Sequence, residues 1–282
     1  MSSQMGALLA SGLDELRYEL IGKRIRAVLG GGTAVDSTQA VLVWEPRRIV
    51  PSYAVPAGDI RGELTLAAAA GGTQAVGAPM PTVSSRPVLT PADPFAAHTA
   101  EGQVVDVRAL GQDRPGAGFR LADHALAGYV ILDFRAFDGW FEEDEPNVAH
   151  PRDPFHRIDV LASSRHVRLE LDGQVLAESS RPMLLFETML PVRYYLPRED
   201  IRAELSPSST QTYCAYKGQA SYWSATVGDR AVLDIAWTYQ QPLHDAARVA
   251  GLTAFFDERV DVVVDGEHHE RPITPWSPAP RT

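Results

Sequence analysis

Cysteine occurs once in the 282 residues, as Cys214, and lysine twice, as Lys23 and Lys217, against 24 arginines. A lone thiol cannot close an internal disulfide, which points to a reducing compartment and hence the cytoplasm. No apolar run approaches the roughly 20 residues that a membrane helix needs. The apolar start Gly6 to Leu13 has no basic leader and runs into Asp14 and Glu15, so no signal peptide is expected. Blocks of Lys and Arg are missing too, and the net charge is -10. That balance argues against nucleic-acid phosphates or an anionic membrane as partners, since both call for a basic face. No G-x-G-x-x-G, P-loop or G-x-S-x-G elbow occurs, which removes the usual signs of dinucleotide, nucleotide and serine-hydrolase sites.

What the chain does have is short strands separated by Gly, Pro and Asp turns, with helical periodicity confined to pieces such as Leu243 to Val249. Arg24 to Leu29, Gly30-Gly31-Gly32, Thr33 to Ser37 and Ala40 to Glu45 predict a hairpin and its continuation. The same order returns about 142 positions later as His166 to Leu171, Asp172-Gly173, Gln174 to Ser179 and Met183 to Glu187. Glu45 falls on Glu187 in this register, and Asp138 on Asp261 further along. Two copies of one domain are the simplest account, spanning 1–150 and 158–282, with the Pro-rich stretch Pro146 to Ile158 as an exposed joint. The fold class is mainly β, as two tandem small antiparallel β-barrel or β-sandwich domains with few short helices. Copy one has an Ala, Gly and Pro-rich segment, Thr65 to Gly118, where copy two has its most distinctive residues, and a strand is expected there at Gln103 to Val107. The tail after Arg271 is expected to be irregular and pinned by Trp276.

Those distinctive residues are Thr210 to Trp223, TQTYCAYKGQASYW. In a chain so biased to Arg, a lysine here suggests a compact ammonium whose pKa can be moved. A Lys217 ammonium near Cys214 would favour a thiolate nucleophile, while the plainer alternative makes Cys214 a small core residue and Lys217 half of a structural ion pair. Asp261, ending the apolar run from Phe255, is the expected charge partner of Lys217. Tyr222 is the candidate proton donor. Tyr213, Tyr216, Trp223, Trp237 and Arg202 complete the expected binding surface. The spacing of His150, Asp153 and His156 could suggest a metal site, but Pro151 and Pro154 hold that segment extended, and a surface linker is the reading adopted, with no metal.

The strings Thr212-x-Cys214-x-x-Lys217-Gly218-x-Ala220-x-Tyr222-Trp223, Tyr195-x-Pro197-x-x-Asp200-Ile201 and Ala236-Trp237-x-Tyr239-x-x-Pro242, with Ala250-Gly251 and Val260-Asp261, resemble the domain of unknown function 427 family. The resemblance is dense from about 160 to 266 and degenerate over 20 to 145, which lacks the Thr-x-Cys-x-x-Lys string. It implies a mostly β fold, and the family also carries a nucleotidyltransferase-like label. Two functions remain open on the residues: a cofactor-independent enzyme acting on a small polar or anionic metabolite in one pocket of the second domain, or a binding and scaffolding module using the same pocket. Nucleotidyl transfer rests on the label alone, since neither a phosphate cradle nor an Asp-x-Asp pair is visible.

Overall fold

The computed structural model describes residues 2–68 and 76–278; part of the Ala, Gly and Pro-rich segment, 69–75, and the last tail residues, 279–282, lie outside the described residues. The chain divides into two units, Met1–Asp153 and Pro154–Thr282. The boundary falls inside the expected joint. However, Glu145–Asn147 is a strand pairing with Gly139–Glu142, so the start of that joint belongs to the first unit.

In the second unit, seven antiparallel strands lie side by side in the order Ile158–Ala162, Met183–Glu187, Arg193–Leu196, Thr253–Phe255, Arg230–Thr238, Gly218–Val227 and Leu205–Cys214. A second sheet of four runs Gln174–Ser179, Val167–Leu171, Asp261–Val264 and Glu267–His269. Alternation explains the pairing of these layers: Val167, Leu169 and Leu171 are buried while Arg168 and Glu170 between them are not. The buried set meets Leu196, Ala236, Ile235 and Phe255 of the larger sheet in one core, each covered aliphatic contributing about 1.5–3 kcal/mol. Asp172 and Gly173, both at positive φ, 52° and 79°, make the tight turn between Val167–Leu171 and Gln174–Ser179 that a right-twisted hairpin favours.

The first unit has a seven-stranded sheet, Arg17–Leu20, Val41–Trp44, Ser52–Pro56, Tyr129–Leu132, Gln112–Leu121, Gly102–Ala109 and Gly62–Leu66. Its four-stranded sheet is Glu145–Asn147, Gly139–Glu142, Ile25–Leu29 and Gly32–Ser37. Rank for rank along the chain, both sheets have the strand order of their counterparts in the second unit. Sheets with free edge strands make these sandwiches rather than closed barrels. The expected strand at Gln103 to Val107 lies within Gly102–Ala109, and the N-terminal helix is Met5–Ser11, giving way to a strand at Arg17. No described helix is long and apolar enough to cross a membrane.

Candidate functional site

The larger sheet of the second unit has an outer face as well as an inner one. Tyr195, Ala220, Trp237, Tyr239, Ala254 and Phe256 cluster on it, joined by Ala246 and Val249 from the 3-10 turn His244–Val249. Glu187, two residues after Leu185 on the same strand, shares this side by the strand's two-residue period. Lys217 reaches it from the turn 215–217 between two ten-residue strands, Leu205–Cys214 and Gly218–Val227. The turn closes because Gly218 takes φ +87°, a conformation that side-chain-bearing residues rarely adopt, and the Leu243 backbone N–H donates to the Lys217 carbonyl.

Lys217 Nζ donates to both oxygens of Glu187, at 2.6 and 2.5 Å, and the two side chains are 12% and 6% exposed. Burial by itself would raise the Glu187 carboxyl, but the Lys217 ammonium and the His156 hydrogen bond outweigh it and bring the group down to about 2. Burial likewise opposes the Lys217 charge, and Glu187 more than offsets it, so the ammonium is held above its ordinary value. The amine is therefore protonated, which suits a brace or a point charge and not a neutral nucleophile. His156 Nε2 lies 3.0 Å from Glu187 Oε1, and its ring stacks on Tyr216 with centroids 4.4 Å apart. An ionised carboxylate can only accept, so Nε2 carries the hydrogen. Among the described residues no hydrogen bond reaches Nδ1, and the side chain is 20% exposed. Beneath, Trp237 Nε1 donates to the Tyr195 hydroxyl at 3.0 Å. Burial pushes Tyr195 up to about 12 and Tyr239 well above its usual range, which keeps both phenols neutral.

The structure brings together only part of the expected set. Cys214 is half-buried at the strand end and accepts the Tyr216 backbone N–H at 3.5 Å, and its field is among those that favour the Lys217 charge. Tyr216 is covered by His156. Tyr222 stacks on Phe256 at 6.2 Å, and its hydroxyl lies 3.0 Å from Thr212 Oγ1; burial raises its pKa. Asp261 does not partner Lys217: it stands in the four-stranded sheet and accepts from Arg271 at 2.8 and 3.0 Å. Arg202 is exposed and paired with Glu178. Trp223 points into the core between the sheets, donating to Thr238 Oγ1 with Arg198 5.2 Å away, and Tyr213 is 56% exposed. Alternation along the two strands accounts for Tyr213 and Trp223, which leave the side that Ala220 and Tyr222 share, whereas Asp261 and Arg202 lie on other segments of the chain.

Two residues of the site were passed over in the sequence. Glu187 was visible only as the repeat partner of Glu45, and His156 as one member of a linker motif whose other members do not join it. No group of three or more His, Cys, Asp and Glu positioned to hold a metal occurs among the described residues. Glu45 in the first unit is served differently: His98 Nδ1 lies 3.0 Å from it, and the backbone N–H groups of Thr99 and Ala100 donate to it at 2.9 and 3.2 Å. His98 is stacked on Phe119 at 3.6 Å.

No curated protein matches the chain. Residues 159–266, which hold the Lys217–Glu187 pair and the aromatic face around it, match a family described as a domain of unknown function (DUF427).

Proposed function

We propose that the second unit binds a small polar metabolite at the Tyr216, His156 and Lys217 end of its outer sheet face, and that His156 handles a proton there in a cofactor-independent reaction. The observation that carries this reading is the orientation of the imidazole. Its Nε2–H is held by a carboxylate that a lysine keeps ionised, which leaves Nδ1 as the ring nitrogen available to a ligand. A carboxylate that orients a histidine in this way fixes the tautomer used in general acid–base catalysis. Lys217 and Glu187 serve as positioning residues in this scheme, with Tyr222 and Cys214 at its margin. A non-catalytic binding module would use the same surface without turnover.

The first unit is, on this reading, a second and altered copy. Its strand order is that of the second and Glu45 replaces Glu187, but its carboxylate is taken up by His98 and backbone amides. The acidic balance of the chain disfavours nucleic acid as a partner, and the single cysteine suits the cytoplasm.

Thermal shift of the full-length protein against a panel of amino acids, hydroxy acids, keto acids and nucleosides tests this, followed by NMR of each stabilising mixture for turnover. Binding by the wild type that weakens at least tenfold in His156→Gln, with an unchanged melt of the free protein, supports the site. Equal binding in the two proteins removes His156 from it. Binding without turnover decides for the non-catalytic module.

A further inference from the structure

On the same sheet lies a second charged cluster whose cation and anions do not balance. Arg193, from the strand Arg193–Leu196, is 6% exposed, and Asp257 and Glu258, from the turn after Thr253–Phe255, are 5% and 3% exposed. The guanidinium donates to both Glu258 oxygens at 2.9 and 2.5 Å and lies 3.6 Å from Asp257. Two carboxylates thus share one guanidinium. The other groups bearing on the cluster are Arg259, whose field reaches Glu258 but whose larger charge partner is Asp234 and whose guanidinium donates to the Asp234 and Leu233 carbonyls, Tyr194, a neutral phenol from the Arg193 strand, and beyond it the Arg165–Asp265 pair, which carries no net charge.

Against Arg193 and Glu258 of this cluster lies the segment 271–278, which has no strand or helix of its own. Thr274 is 3% exposed, and its hydroxyl donates to Glu258 at 2.5 Å. Trp276 places its ring 5.8 Å from the Arg193 guanidinium, which also lies 5.6 Å from the ring of Trp237. Every contact from Thr274 and Trp276 to the cluster therefore ends on Arg193 or on its partner Glu258.

We propose that residues 271–278 form a pH-operated strap, closed over the Arg193–Asp257–Glu258 cluster while one of the two carboxylates carries a proton and released as both ionise. With both ionised, the covered cluster holds one uncompensated negative charge, and admitting water by lifting the strap is the local way to solvate it. Asp257 is the protonated member: burial outweighs Arg193 and pushes its carboxyl up to about 7. Burial opposes the charge of Glu258 as well, but Arg193 and Thr274 hold it below its ordinary value. The closed state thus has the higher Asp257 pKa. Its advantage is full below the ordinary carboxyl range and is lost as pH rises toward 7, after which it is flat.

Hydrogen–deuterium exchange of the full chain from pH 5 to pH 8, corrected for intrinsic exchange, reads the opening directly in peptides covering 271–278. Opening is expected to increase by up to about tenfold per pH unit toward pH 7 and then level off, as the release of one proton requires. Peptides from Val167–Leu171 are expected to show no such trend. Asp257→Asn should flatten the profile, and Thr274→Val should raise opening at every pH while leaving the slope. A wild-type strap with no pH dependence beyond that of Val167–Leu171 overturns the proposal, as does a slope that persists in Asp257→Asn. Should that variant fail to fold, the wild-type comparison between the two sets of peptides still decides.

Discussion

At the scale of single residues, Lys217 shows how a conspicuous residue can be found and its partner misjudged. Its rarity in an Arg-rich chain marks it in the sequence, whereas the carboxylate it meets is Glu187, 30 positions away, and not Asp261. Removing one member of a covered ion pair leaves the other charge without compensation. Lys217→Met is accordingly expected to lower stability by about 3 kcal/mol in urea unfolding, with a smaller loss in Lys217→Arg, which keeps the charge but must fit a larger planar group. Equal losses in both would show that shape and not charge is what the site needs. The acid limb gives a second outcome. Glu187 titrates at about 2 in the folded chain, well below its ordinary 4.5, so its contribution is present above that ordinary value and is lost as pH falls through about 2. Glu187→Gln should flatten the urea midpoint against pH over that range, and an unchanged slope would place the acid sensitivity elsewhere. Cys214 packs half-buried at a strand end; Cys214→Ser is expected to cost on the order of 1 kcal/mol, read from the same unfolding curves.

At the scale of elements, the period of two explains both what was legible and what was not. Strands such as Val167–Leu171 and the hairpin at Asp172-Gly173 could be placed from alternation and turn residues, and so could Gly102–Ala109 in the first unit. The motif Thr210 to Trp223 is different, because it spans the turn between two long strands and sends its members to both faces. Trp223 and Tyr222, adjacent in sequence, therefore end in different places, one in the inter-sheet core and one on the outer face. Bulges add to the difficulty: the register shifts between Pro207 and Gln211 and again between Trp223 and Ala225, so counting by twos from either end fails. The turn itself depends on Gly218 at φ +87°. Gly218→Ala should cost about 1 kcal/mol or more and displace Lys217, seen as a lower melt together with weaker ligand binding. A melt unchanged by the substitution would show that the turn tolerates a side chain.

At the scale of the whole molecule, each unit has its own core between two sheets, and Trp44 and Trp140 report on the first while Trp223 and Trp237 report on the second. Lys217→Met is expected to shift the unfolding transition seen by the second pair of tryptophans and to leave that of the first pair in place, checked with single-pair Trp→Phe variants. A common shift would mean that the units unfold as one. The sequence by itself determined the mainly β class and the family likeness of residues 159–266, because these rest on local quantities: alternation, turn residues and the order of segments. Only the tertiary structure decided that Glu187 meets both Lys217 and His156, that Asp261 and Arg202 are engaged elsewhere, and that Arg193, Glu258 and the tail at Thr274 meet. The pairings of Lys217 with Glu187 and of Arg193 with Glu258 join positions 30 and 65 apart along the chain. Strand pairing and burial, and not any pattern along the chain, set which charged side chains share a low-dielectric face, and therefore which protons they keep.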